Sequence, residues 1–280
     1  MRRRFHQLDV FGSGGLTGNT LAVVVDSGGL STEEMARFAS WTNLSETTFL
    51  LPTRTASADY RVRIFSLSRE LPFAGHPTLG SCQAWLSSGG RPKRSDQIIQ
   101  ECGAGLIPIR RTSTGLAFAA PTLMRSGPVD NQHLGQLANT LGIGRNEIID
   151  SQWLSEWVVV LLRDADAVLA IEPVLEENGS NANLKIGIVG SYPEGSECAF
   201  EVRALFSDEQ GELREDPVTG SLNGSLGQWF FATGRAKSPY VVSQGARVGR
   251  TDRLRVSMDA DATVWVAGST TICISGEVDI

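Results

Sequence analysis

The feature that most constrains the fold of this chain is that it repeats itself once. A shift of 140 positions brings Asn43-Leu44 onto Asn183-Leu184, Val62-Arg63 onto Val202-Arg203, Pro77 onto Pro217, Gly80-Ser81 onto Gly220-Ser221 and Leu86 onto Leu226. A match of that length without gaps means one supersecondary unit used twice. The unit reads as a strand (Tyr60 to Phe65; Phe200 to Phe206), a loop ending in Pro, and a helix (Pro77 to Leu86; Pro217 to Phe231). With 280 residues, the chain is long enough for two hydrophobic cores. The Pro-, Gly- and Ser-bearing segment between Pro121 and Asp130 is the natural divide. Two pseudo-equivalent domains are expected, over residues 1–125 and 126–280, with the last strand a candidate to cross back onto the first.

Proline is favoured at the first position of a helix, where its missing N–H would lack a partner anyway. On that rule His76 and Asp216 immediately precede the repeated helices. Aspartate is a good N-cap and histidine is not, so Asp216 has a structural reason for its place and His76 points to function. Gly80, Ser81, Gly220, Ser221, Gly224, Ser225 and Gly227 put small residues inside those helices, which reads as close packing of buried central helices. Phe5 to Phe11 reads as a strand. So do Leu21 to Val25, Thr47 to Leu51, Leu106 to Ile109, Leu116 to Ala119, Trp157 to Leu162, Ile186 to Val189, Leu254 to Met258 and Ala262 to Val266. Ser31 and Glu34 fit a capping box that opens a helix burying Met35, Phe38 and Ala39. Asp130 caps another, burying Leu134, Leu137 and Leu141.

A net charge of −6 and a pI near 5.2 exclude the basic footprint that nucleic acid requires. No apolar run approaches a membrane span, and the opening residues alternate like a strand rather than a signal segment, so a cytoplasmic protein is expected. Cys82, Cys102, Cys198 and Cys273 are far apart and have no metal-ligand spacing; they read as reduced, mostly buried thiols, with no metal site.

Three segments wedge polar residues into loops of small ones: Asn43-Leu-Ser-Glu-Thr-Thr-Phe49, Glu70-Leu-Pro-Phe-Ala-Gly-His-Pro-Thr78 and Arg214-Glu-Asp-Pro-Val-Thr-Gly-Ser221. They resemble the NLSET, ELPFAGHPT and EDPVTGS motifs of the PhzF-like family of phenazine biosynthesis. The similarity extends to Asp9-Val-Phe11, Gly18-Asn19, Glu101-Cys-Gly-Ala-Gly105 and Gln244-Gly245. It implies an α+β fold like that of diaminopimelate epimerase: two pseudo-symmetric domains, each a curved, mainly antiparallel sheet around a central helix, with the active site in a cleft between them. It also implies a cofactor-free isomerase that moves a proton within a small unsaturated acid, and a homodimer. The matching catalytic residues are Glu46, His76 and Asp216. Helix N-termini in that cleft would favour a small anionic substrate, with Ser45, Gly75, Thr219, Gly220 and Ser221 as the candidate contacts.

Other residues have simpler readings. His6 and His133 belong to no motif and read as a strand residue and a helix-surface residue. The six tryptophans read as core. Gly12 to Gly18 lacks the GK[ST] ending of a phosphate loop and reads as a flexible turn or a lid. Thr20 replaces the Pro of a GNP pattern, and Ser66-Leu67-Ser68 replaces a Thr-Pro start, which leaves the substrate open. Two other functions are compatible with the scaffold: a cysteine-dependent racemase or epimerase, for which Cys102 is the tempting thiol, and a non-catalytic small-molecule binding or interaction module.

Overall fold

The computed structural model describes residues 1–174, 184–208 and 212–280. Asn183, which the repeat pairs with Asn43, lies outside them. The chain forms two compact units, Met1–Pro121 with Trp265–Ile280, and Thr122–Val264. The first contains β1 (Arg2–Val10), β2 (Asn19–Val24), α1 (Thr32–Thr42), β3 (Glu46–Leu51), β4 (Tyr60–Ser66), β5 (Glu70–Leu71), α2 (Gly75–Ser87), β6 (Ile98–Cys102), β7 (Gly105–Thr112) and β8 (Gly115–Ala119). The second contains β9 (Ser126–Gly127), α3 (Asn131–Leu141), β10 (Asp150–Leu154), β11 (Trp157–Leu161), α4 (Ala165–Leu169), β12 (Lys185–Ser191), β13 (Phe200–Ser207), β14 (Leu213–Asp216), α5 (Gly220–Thr233), β15 (Tyr240–Gln244) and β16 (Asp252–Met258). Strands β17 (Val264–Gly268) and β18 (Thr270–Asp279) then pair with β8 and β1. The second unit runs to Val264 rather than to residue 280, and both β17 and β18, where the last strand alone was the candidate to cross back, complete the sheet of the first.

Both sheets follow one plan. From β1 to β7 the neighbours are antiparallel except β2 with β3 and β4 with β6. From β10 to β16 they are antiparallel except β11 with β12 and β13 with β15. Helix α2 packs on β1, β2, β3, β4, β8 and β18, strands spread across the whole sheet, so the sheet wraps around it. The two central helices bury nearly every side, and Leu79, Leu222 and Leu226 are almost fully enclosed. A Cβ at Gly227 would stand 2.7 Å from Val256 and 2.9 Å from Val264, so glycine lets those strands close on α5.

The repeat holds in the strands but slips at the helices. Ile64 pairs with Leu71 and Ala204 with Asp216; Phe65 pairs with Glu70 and Leu205 with Glu215. Residues 64 and 204 are 140 apart, whereas 71 and 216 are 145 apart, so five extra residues lie between Leu205 and Glu215. The larger offset persists into the helix starts, Gly75 and Gly220. The proline rule consequently misplaces both. Pro77 is the third residue of α2, tolerated because the first four N–H groups of a helix have no partner within it. Pro217 lies in the turn before α5, and Asp216 ends β14 instead of capping the helix; Thr219 occupies the N-cap position.

The amphipathic helices match the sequence closely. Glu34 N–H donates to Ser31 Oγ at 3.1 Å and Ser31 N–H to Glu34 Oε2 at 2.8 Å, closing the capping box of α1. Met35, Phe38 and Ala39 face inward. Trp41 departs from the core reading: it falls off that stripe, is 78% exposed and leans on Phe38.

One buried acid supplies a stability test. Glu201 on β13 is fully enclosed, accepts a hydrogen bond from Tyr192 at 2.8 Å, and is pushed above the usual carboxyl range by its burial. A carboxyl with a raised folded value favours the protonated form, so its effect on stability worsens as pH rises from about 4.5 through that value. Glu201→Gln keeps an acceptor for Tyr192. The urea midpoint of the variant is expected to exceed that of the parent at pH 8, with the gap closing toward pH 4; a constant gap would assign Glu201 no titrating role.

Candidate active site

Helix α1 ends on Asn43, which takes the left-handed conformation (φ 56°) that asparagine tolerates better than most residues. The turn it makes through Leu44 and the exposed Ser45 delivers Glu46 as the first residue of β3. Glu46 and Thr48 then share a strand face directed at α2. Ser81 donates to Thr48 at 2.8 Å, and His76, in the first turn of the helix, meets Glu46, with Nε2 3.2 Å from Oε2. The His76 side chain is 4% exposed and that of Glu46 18%. Both facing atoms are buried and neither has a hydrogen-bond partner among the described residues, so the contact between them is one of ion-pair distance rather than hydrogen-bond geometry. On the far side of the ring, Nδ1 lies 3.2 Å from the side-chain amide nitrogen of Asn19, a buried residue to which the motif assigned no role.

In the second unit Asp216 is held by a buried amide network. Thr219 Oγ1 donates to Asp216 Oδ2 at 2.7 Å and accepts from Gln244 Nε2 at 3.1 Å. Gln244 Oε1 accepts from Thr219 N–H at 3.2 Å and from Asn223 at 2.9 Å, and Nε2 also donates to the Asp216 carbonyl at 3.2 Å. A buried glutamine on the equivalent strand serves α2: Gln100 accepts from Tyr60 at 2.9 Å and donates to Thr78 at 2.9 Å, whose hydroxyl donates to the Ala74 carbonyl at 2.9 Å. Gln100 and Asn223 escape a sequence reading because one polar residue in an apolar strand or helix looks like its exposed side.

The helix starts differ in chemistry. Ser31, Asp130 and Asp164 cap α1, α3 and α4 with side-chain oxygens, whereas Ala74 and Thr219 offer no such bond to α2 and α5. The first-turn N–H groups around Gly75, His76, Gly220 and Ser221 are thus left without a side-chain cap, a setting that suits an anion. No group of three or more His, Cys, Asp or Glu converges as a metal site among the described residues, and none of the described helices is long and apolar enough to cross a membrane. His6 lies on β1 and His133 on the exposed side of α3, away from these constellations.

A family model described as phenazine biosynthesis-like protein matches residues 8–276. The chain belongs to that family. Among its relatives is the Schizosaccharomyces pombe protein named antisense-enhancing sequence 1, 34% identical over 98% of this chain and 97% of the other. Another is the trans-2,3-dihydro-3-hydroxyanthranilate isomerase of Pseudomonas fluorescens, 30% identical over 87% of this chain and 86% of the other. The crystal structure of a PhzF-family phenazine biosynthesis protein from Bacillus anthracis covers 100% of both chains with a TM-score of 0.82 at 22% identity. This family member is an isomerase, on the α+β fold that the motifs implied.

The thiols are poorly placed for a cysteine mechanism. The first turns of α2 and α5 hold Gly75-His76 and Gly220-Ser221, not cysteines. Burial pushes the Cys82 thiol up to about 12 and raises that of the half-buried Cys102. Only Cys273 is exposed. Iodoacetamide on the native protein at pH 8 is expected to label Cys273, spare Cys82 and leave isomerase activity intact; activity lost in step with labelling at Cys102 would restore the thiol reading.

Proposed function

We propose that this isomerase moves a proton between two carbons of a small unsaturated acid without a cofactor, and that Glu46 carries the proton. The observation behind this reading is the enclosed Glu46–His76 pair. With Oε2 turned in toward His76, Oε1 is the oxygen left to take a proton from carbon. As the C–H bond breaks, its electron pair forms a new double bond to the neighbouring carbon, the original double bond shifts, and the protonated carboxyl returns the proton at the far end. A positioned acid/base group of this kind contributes roughly 10²–10⁴-fold to a rate.

Asp216 is assigned the polar end of the substrate. A carboxylate accepts from O–H and N–H donors, as Asp216 does from the Thr219 hydroxyl, and would take an amino or hydroxyl group of the substrate. The uncapped first turns carrying Gly75, Gly220 and Ser221, with Thr219 beside Gly220 and Ser45 beside Glu46 in sequence, are assigned the substrate's carboxylate, since a helix N-terminus stabilises an anion. A relative that isomerises a dihydro-hydroxyanthranilate, an unsaturated cyclic amino acid, is consistent with this class of substrate.

The test is carbon-bound deuterium incorporation from D2O, followed by NMR over a panel of unsaturated cyclic and amino acids. The protein is expected to exchange at least one member, and Glu46→Gln to slow that exchange by about 10²-fold or more. Exchange undiminished in Glu46→Gln would remove Glu46 as the base; panel members that bind the protein without exchange would favour a binding module.

A further inference from the structure

We propose that Asn19 is a positioning residue that fixes the tautomer of His76, so that the ring can only donate to Glu46 and never take its proton. The inference rests on the reading of Glu46 as the proton carrier and adds where that proton resides between its two transfers.

An amide nitrogen has only hydrogens to offer, so Nδ2 of Asn19, 3.2 Å from Nδ1 of His76, makes Nδ1 the acceptor of the neutral ring. The ring proton is then on Nε2, the nitrogen 3.2 Å from Glu46 Oε2. Oε2 and Nε2 are both buried and neither has a hydrogen-bond partner among the described residues, so nothing else competes for that proton, and at 3.2 Å a small reorientation would turn the contact into a hydrogen bond. A second proton on the ring would have to sit on Nδ1, facing the Asn19 NH₂. The imidazole is therefore a donor on the Glu46 side and filled on that side, and a proton taken from carbon by Glu46 stays on Glu46 until it is returned.

Asn19 is itself firmly held, which the bare tautomer argument requires. It is 1% exposed and is the first residue of β2, paired with Val10 of β1. The preceding loop, which the sequence suggested as a flexible turn or lid, is pinned by Asp9: Gly18 N–H donates to Oδ1 at 2.7 Å and Thr17 N–H to Oδ2 at 3.0 Å. A Cβ at Gly18 would stand 2.3 Å from the Val10 carbonyl and 2.5 Å from Asp9 Oδ1, so only glycine closes the loop this tightly. Asp9, Gly18 and Asn19 thus form a continuous support running to His76 and Glu46 within one unit.

The test is two-bond ¹H–¹⁵N correlation NMR on protein with ¹⁵N-labelled histidine. The chain has three histidines, and His76→Gln identifies the signal of interest by its loss. At neutral pH the parent is expected to show His76 as a neutral ring protonated at Nε2. Asn19→Asp offers only acceptors, so its His76 signal is expected to move to an Nδ1-protonated or doubly protonated pattern, with exchange at carbon slowed by about tenfold or more. A parent His76 protonated at Nδ1 would overturn the proposal, as would a folded Asn19→Asp protein with the parent's His76 spectrum. Should that variant not fold, the parent spectrum alone still decides. Failure of the Glu46 reading is separate, since it appears as undiminished exchange in Glu46→Gln whatever tautomer His76 adopts.

Discussion

The architecture depends on two helices that have no polar side. A helix packed on all sides cannot follow the amphipathic rule, and α2 and α5 are built instead from small and apolar residues that let strands approach closely. A sheet must curl to surround such a helix, and the mixed pairing of each unit achieves this twice. The same enclosure makes every polar atom at the helix starts costly unless it has a partner. Gln100, Gln244, Asn223 and Thr78 are the response, a set of buried amides and hydroxyls whose bonds run toward the first turns.

Those amides have a chemical effect beyond satisfying hydrogen bonds. Because Gln244 Nε2 donates to the Thr219 hydroxyl, that hydroxyl's own proton is directed to Asp216. On the proposed tautomer, the Asn19 amide nitrogen facing Nδ1 puts the imidazole proton on the nitrogen that faces Glu46. In both units a neutral amide, which does not titrate, sets which way a proton beside a carboxylate faces. Protonation geometry is thereby fixed by groups insensitive to pH.

The sequence was most legible where local rules act alone. Strand alternation located the main strands, and the caps at Ser31 and Asp130 fixed α1 and α3. It misled where a local rule met tertiary packing: Pro77 and Pro217 suggested equivalent helix starts, yet one lies inside a first turn and the other in a preceding loop. The alignment without gaps concealed five residues between Leu205 and Glu215, since small residues recur so often in both helices that a slipped register still produces matches. Glu46, His76 and Asp216 were visible through their motifs. Gln100 and Asn223 were not, because nothing local separates a buried amide from one facing water, and Asn19 carried no hint of its partner fifty-seven positions away.

The pairing of β18 with β1 reaches into how the molecule is made. These strands are matched from Arg2 with Asp279 to Val10 with Thr270, while all of the second unit lies between them in the chain. During synthesis from the N-terminus, the second unit has all its strands available before the first does. The first must wait, with β1 unpaired on one edge, until β17 and β18 have emerged. Contacts so distant in sequence are slow to form, and an open edge in the meantime is an aggregation hazard. Of the two units, the one that carries Glu46 and His76 is therefore the later to have all its strands synthesised, although its first strand is the earlier to appear.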